Sequence, residues 1–278
     1  MKSKFSFAPL GCGVGLRSDY FDEIISSRPK CNWFEIITDN FLGIGGYSRE
    51  CLEEISKHYT VIPHSVATSV GSTDPLDFKY LASTKEILNL LNAPWTSDHL
   101  CFTMIDHANL SDLIPLPFTE ESVSNCVKRI KAIQDFCERP FLIENVTRYI
   151  TPSSREMLED EFLNRILEGA NCGLLLDLTN VYLNSKYHDF DPYQFITSLS
   201  LDRVVQIHLA GWQGRIEDGA IDTHDAPVPP EVLDLLKFTV KLIGKSSPLI
   251  EWDEDLPSLQ YLLSEANQVD KIISDVLS

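Results

Sequence analysis

Three histidines and three carboxylates in this chain close short apolar runs, and all six are residue types that ligate metal ions. His64 follows Val61-Ile-Pro, His99 follows Trp95-Thr-Ser-Asp, Glu144 follows Phe141-Leu-Ile, Asp177 follows Leu174-Leu-Leu, His208 follows Val204-Val-Gln-Ile, and Glu251 follows Pro248-Leu-Ile. A less sharp run, Trp33-Phe-Glu-Ile-Ile-Thr, leads to Asp39-Asn40, and a loop adds the pair Asp222 and His224. Imidazole and carboxylate without a thiolate suit iron, manganese or a hydrolytic zinc; they do not suit a structural zinc or an iron–sulfur cluster. At roughly four to six ligands per ion, so many donors point to two or three ions sharing carboxylates.

A single histidine at a strand end usually serves the core or the rim. Three on separate strands, with acids on three more, favour metal. An ionised carboxylate directly after a buried run costs several kcal/mol unless it is paired or metal-bound, so Glu144 and Asp177 are hard to read as core residues.

The elements that must position these groups follow from the runs themselves. Four to six apolar residues bounded by turn formers read as a strand buried on both faces, the state of strands in a parallel sheet. The ligand-type residues recur every 25 to 45 residues, the pitch of a βα unit. Eight such units predict a single-domain (β/α)₈ barrel over residues 1–278, whose strand C-termini meet at one mouth. An open doubly wound sheet is the alternative, but it gathers only the strands near its switch point. Helices are expected over 19–26, 50–58, 80–91, from 119, and over 155–168, 192–199, 230–243 and 257–276. Loops are expected over 65–77 and from His99 through Pro115 and Pro117.

Composition narrows the partners. The 278 residues are 44% hydrophobic and 23% charged, enough for a large core, and the net charge of −18 opposes nucleic acid. The seven cysteines are odd in number and form no C-x-x-C pair, which reads as reduced thiols in a cytoplasmic protein. There is no apolar run of membrane-spanning length. Gly11-Cys-Gly13-Val-Gly15 lacks the nucleotide-loop spacing, His58 falls on a helix, and His107 and His188 fall in loops within reach of a substrate. No nucleophile elbow, Walker loop or H-E-x-x-H occurs.

Eight runs also match a known family in content and order. They are Gly13-Val-Gly-Leu-Arg17, Gly71-Ser-Thr-Asp-Pro-Leu-Asp77, Ser97-Asp-His-Leu-Cys101, Leu142-Ile-Glu-Asn-Val146, Leu175-Leu-Asp-Leu-Thr-Asn-Val-Tyr182, Ile207-His-Leu-Ala-Gly211, Ile221-Asp-Thr-His-Asp225 and Leu249-Ile-Glu-Trp-Asp253. The chain resembles the DUF692 (UPF0276) family from about Gly11 to Pro257. The resemblance implies a TIM barrel and a multinuclear non-haem iron-dependent oxidase, like the methanobactin-biosynthesis oxidase. Such enzymes use O₂ to modify a residue, best known as cysteine, of a ribosomally made precursor peptide, commonly with a separate partner protein.

Position by position, the resemblance implies that His64, His99, Glu144, Asp177, His208 and Glu251 hold two irons in mixed Fe(II)/Fe(III) states, bridged by Glu144 or Glu251. Glu144, Asp177 and His208 would be catalytic as iron ligands. Asn180, Asp222 and His224 match the positions of a third, more labile iron. Arg17 and Asn40 are candidate substrate contacts, and His188, which matches a loop histidine common in the family, is a further candidate with its role open. The chain departs from the family's Glu-Asn pair after the second strand, where it has Asp39-Asn40. The residues alone leave open a zinc or manganese barrel isomerase or hydrolase, and a non-catalytic metal-dependent subunit of a peptide-processing complex.

Overall fold

A computed structural model describes residues 5, 7–43, 45–106, 108–150, 154–214, 216 and 221–278. The first four strands, β1 (Gly13–Gly15), β2 (Trp33–Ile37), β3 (Thr60–Ser65) and β4 (Thr96–His99), are parallel neighbours. A hairpin of β5 (Cys101–Ile105) and β6 (Ala108–Pro115) intervenes. Four more parallel strands, β7 (Phe141–Glu144), β8 (Gly173–Asp177), β9 (Val204–Leu209) and β10 (Ser247–Ile250), then return to β1 and close the barrel. Its wall consists of α1 (Phe21–Ser27), α2 (Tyr47–Ser56), α3 (Phe78–Leu91), α4 (Glu120–Cys137), α5 (Glu159–Ala170), α6 (Leu178–Tyr187), α7 (Pro192–Ser198), α8 (Pro230–Ile243) and α9 (Leu259–Leu277).

Strand periodicity sorts the barrel interior into tiers. Trp33, Ile62, Trp95, Leu142, Leu175, Val205 and Leu249 pack with Phe5 into an apolar floor. Each buried side chain of this size contributes roughly 1.5–3 kcal/mol. Side chains two residues further along a strand return to the same face. The next tier is therefore Glu35, His64, Ser97, Glu144, Asp177 and Glu251, all buried and all polar. Between β8 and β9 the register shifts at Leu174/Leu175, so Val205 packs into the floor, Gln206 stands level with it opposite Leu175, and His208 joins the polar tier opposite Asp177. On β1 the floor position is Gly13, where a Cβ would lie 2.5 Å from the Trp33 indole. Glycine there is what lets the large ring fill the barrel.

Three elements differ from expectation. The long loop after His99 is partly the β5–β6 hairpin, and β6 is mostly exposed with polar residues on both faces, so it carries no alternation. The outer edge of β5 is held by the preceding loop, through Gly71 N–H to Cys101 O at 2.8 Å and Thr103 N–H to Ser69 Oγ at 2.9 Å. Helix α6 was not expected; seven of its ten residues are buried, leaving no amphipathic period to read. Helix α5 begins at Glu159, not 155, because Arg155 bridges Phe118 and Glu156 N–H bonds Phe118 O at 2.9 Å, keeping that segment extended. His107 lies outside the described residues.

Candidate metal centre

The strand ends bring together all six ligand-type residues. His64 Nε2 and His99 Nε2 lie 3.4 Å apart and 3.3 and 3.5 Å from Glu144 Oε2. A triangle of that edge has its centre about 2.0 Å from each corner, the length of a metal–imidazole bond. The other oxygen of Glu144, Oε1, lies 3.2 Å from His208 Nδ1, which is 3.1 Å from Glu251 Oε2. Donor atoms of Glu144, Asp177, His208 and Glu251 all fall within 4.8 Å of one another, as do those of His64, His99 and Glu144. Glu144 belongs to both groups.

A third group sits at the rim. His224 Nε2 is 2.9 Å from Asp222 Oδ1, and its Nδ1 is 2.8 Å from Asp253 Oδ2 and 3.6 Å from Glu251 Oε2. Thr147 Oγ donates to Asn180 Oδ1 and reaches Asp222 Oδ2 at 3.4 Å, which places Asn180 beside this group. The Asn180 amide also donates to Asn145 O at 2.9 Å. His224 occupies the left-handed region at φ 49°, a conformation that costs about 1 kcal/mol or more and is held here by Asp253 N–H bonding His224 O at 2.9 Å.

Neighbours decide which ring nitrogen of each histidine is available. Ser97 Oγ lies 2.8 Å from His64 Nδ1 and Asp98 Oδ1 lies 3.4 Å from His99 Nδ1, so Nε2 of both faces Glu144, whereas His224 turns Nδ1 to Asp253 and Glu251 and Nε2 to Asp222. Asp177 is fixed differently. Its Oδ1 accepts from Asn180 N–H at 2.6 Å, capping α6, and its backbone N–H bonds Asn145 Oδ1 at 2.9 Å.

Buried lone pairs are left over. Glu144 Oε2, Asp177 Oδ2, His208 Nδ1, Asp222 Oδ1 and His224 Nε2 have no hydrogen-bond partner among the described residues. Each such atom costs about 1–3 kcal/mol when unmatched, and more when charged. A cation offsets all of them at once, so the donor set fits metal ions. The protonation states of the metal-free cluster point the same way. Burial pushes the Glu144 carboxyl up, but the imidazoles of His208, His99 and His64 outweigh it and hold it at about 2. Burial lowers His99 and His208, yet the surrounding carboxylates raise His99 to about 9 and His208 well above the ordinary range. Burial raises the Asp177 carboxyl well above its ordinary value, and the neighbouring Glu144 and Asp222 carboxylates raise it further.

The cluster opens into a cavity of about 570 Å³ whose walls include Asn40, His64, His99, Asp112 and His224. Asn40 is exposed at this mouth. Asp39 turns aside, accepting from Val66 N–H at 2.9 Å and Tyr80 O–H at 3.2 Å, and so holds the following loop. Arg17 is ion-paired with Asp253 and joins the cluster through it. His188 ends α6 with Nε2 2.8 Å from Arg148 O, lining a separate cavity of about 670 Å³. Sequence reasoning missed Glu35, whose Oε1 is 2.9 Å from His208 Nε2. The signal was present: Glu35 stands two residues after the floor residue Trp33.

The comparisons with known proteins agree with this architecture. A family described as RiPP precursor modification enzyme MbnB/TglH/ChrH matches residues 11–274. A UPF0276 protein of Anaeromyxobacter sp. (strain Fw109-5) is 40% identical over 271 residues, 97% of this chain and 95% of that protein. Another, from Acaryochloris marina (strain MBIC 11017), is 38% identical over 260 residues, 94% of each. Among solved structures, an L-ribulose 3-epimerase has a TM-score of 0.61 at 11% identity, covering 97% of this chain and 95% of that one. The IOLI protein with a binding zinc atom has a TM-score of 0.58 at 16% identity, covering 96% and 97%. Likeness at such identity is likeness of fold, that of the TIM barrel. The sequence relationship goes further: this chain belongs to the family of RiPP precursor modification enzymes MbnB/TglH/ChrH.

Proposed function

We propose that the chain is an O₂-dependent multinuclear non-haem iron oxidase that modifies a residue, best matched by cysteine, of a ribosomally made precursor peptide, with a separate protein helping to present that peptide. The observation that carries this reading is the set of unmatched buried lone pairs around two shared carboxylates, Glu144 and Glu251. Glu144 offers one oxygen to His64 and His99 and the other to His208, while Glu251 stands between His208 and His224. Carboxylates placed between imidazole pairs suit ions held side by side.

Bound iron would supply one-electron redox chemistry, positions for O₂, and a cation that stabilises a substrate thiolate. The chain's own residues do the rest. His64, His99, Glu144, Asp177, His208 and Glu251 would hold two ions, and Asn180, Asp222 and His224 a third. The apolar floor keeps water from the underside of the cluster, leaving the mouth as the approach for a side chain. Asn40 at the rim and the β6 segment, which line this cavity, would contact the peptide there. Arg17, tied to Asp253, serves this reading better as support for the rim than as a direct peptide contact. His188 would meet peptide only beyond the mouth.

Metal analysis of protein purified without oxygen from iron-57 medium, with Mössbauer spectroscopy, tests the proposal. Two to three irons per chain with coupled ferric and ferrous sites are expected. A single zinc or manganese that iron cannot replace would contradict it and favour the isomerase or hydrolase reading.

A further inference from the structure

Beneath the cluster, four buried polar side chains cross the barrel in a chain: Trp95, Gln206, Glu35 and His208. Their hydrogen positions can be worked out from one end. An indole N–H only donates, so Trp95 Nε1, 2.9 Å from Gln206 Oε1, must donate to the amide oxygen there. The Gln206 amide nitrogen then faces Glu35 and donates to its Oε2 at 2.5 Å. A carboxylate accepts on both oxygens. Glu35 Oε1 is left facing His208 Nε2 at 2.9 Å. The Gln206 amide nitrogen is also 3.0 Å from His208 Nε2, but a lone pair on Nε2 would face the carboxylate oxygen at the shorter distance. Nε2 therefore carries a hydrogen, which leaves Nδ1, facing Glu144 and Glu251, as the nitrogen that must give its lone pair to an ion.

We infer that Glu35, oriented by Gln206 and Trp95, is a positioning residue that sets the tautomer of His208 and turns its Nδ1 lone pair into the metal centre. This rests on the metal-centre reading and adds to it the group on which one ligand depends. His208 differs from the other two inner histidines. His64 and His99 present Nε2 to Glu144, with Nδ1 facing Ser97 or Asp98; His208 presents Nδ1, 3.1 Å from Glu251 and 3.2 Å from Glu144. The opposite tautomer would put a hydrogen where an ion must bind. Partners of this kind commonly hold ligating imidazoles, and their loss typically weakens metal binding.

An isosteric substitution separates this role from packing. Glu35→Gln keeps the shape but replaces two acceptors with one acceptor and one donor. Turned one way, the new amide sets its nitrogen against the Gln206 nitrogen. Turned the other way, it donates to His208 Nε2 and drives the hydrogen onto Nδ1. The exchange Glu35→Gln with Gln206→Glu relieves both conflicts. Trp95 donates to the carboxylate now at 206, that carboxylate accepts from the amide at 35, and the amide oxygen accepts from His208 Nε2.

The test is anaerobic titration of the metal-free protein with Fe(II), repeated with Co(II) followed by its absorption, alongside melting curves. Glu35→Gln should weaken binding about 10- to 100-fold, and the double exchange should recover the wild-type affinity. Wild-type affinity in Glu35→Gln, or a double exchange no better than the single, would overturn the inference. Should Glu35→Gln fail to fold, the double exchange decides alone, since wild-type affinity supports the role and weakened binding removes it. Failure of the unaltered protein to bind either ion would instead remove the metal-centre reading, and the inference with it.

Discussion

The inner candidate ligands Glu144, Asp177 and His208 are 2, 0 and 0% exposed, on strands that also carry the apolar floor. The rim residues Asp222, His224 and Asp253 come from loops, with side chains 13, 15 and 34% exposed. Both regions use the same two kinds of donor, carboxylate and imidazole. What differs is the support beneath them. An inner donor is fixed by barrel register and a buried partner, whereas a rim donor is fixed by a strained turn and an ion pair open to solvent. Pairs of the exposed kind contribute only about 0–1 kcal/mol, so the rim should hold its ion more loosely than the barrel holds its two.

Breaking the inner centre has the largest expected effect. Glu144→Gln removes the carboxylate common to two sites and leaves an amide among imidazoles. Iron should fall below one per chain and peptide turnover by several kcal/mol of barrier, roughly a thousandfold; retention of two irons would show that Glu144 is not shared. His224→Ala should remove a single iron and leave the inner pair intact in the Mössbauer spectrum. Loss of all iron from that variant would erase the distinction between the regions.

Acid sharpens the contrast further. Burial lowers the His224 pKa, but Glu251, Asp222 and Asp253 raise it well above the ordinary value, so the metal-free imidazole holds its proton more tightly than a free one. An ion must displace that proton, and affinity should fall about tenfold per pH unit for each proton displaced. Metal titrations from about pH 8 to about pH 6 should therefore show the weaker site emptying first. Arg17→Ala frees Asp253 and should loosen the rim ion by less than about tenfold, with the inner ions unaffected. Leu142→Ala probes the opposite side. It should cost about 2–5 kcal/mol of stability in denaturant melts, while the folded fraction keeps its full iron content.

The inner cluster was legible in the sequence because nearly every candidate ligand follows an apolar run that the barrel buries. His64, Glu144, Asp177, His208 and Glu251 announce themselves as the first polar residue, or nearly so, after such a run, whereas His99 follows the polar Thr96-Ser97-Asp98. Glu35 escaped because it interrupts its run at the middle of β2, where a charge reads as an irregularity. Only the two-residue step from Trp33, taken together with the same step from Ile62 and Leu142, places it on the polar tier. Gln206 was hidden by the register slip on β9, which no run reveals. Helix α6 escaped because it is buried on nearly every side. At the rim, Asp222 and His224 were readable as candidate ligands through family resemblance, but Asp253 and its ion pair with Arg17 join residues 236 positions apart and required the closed barrel.

Anomalous diffraction at the iron edge from anaerobically grown crystals tests the central claim most directly. The account predicts one peak among His64, His99 and Glu144, a second among Glu144, Asp177, His208 and Glu251, and a weaker third beside His224. A lone peak at any one of these positions, or iron found only away from the strand ends, would contradict it.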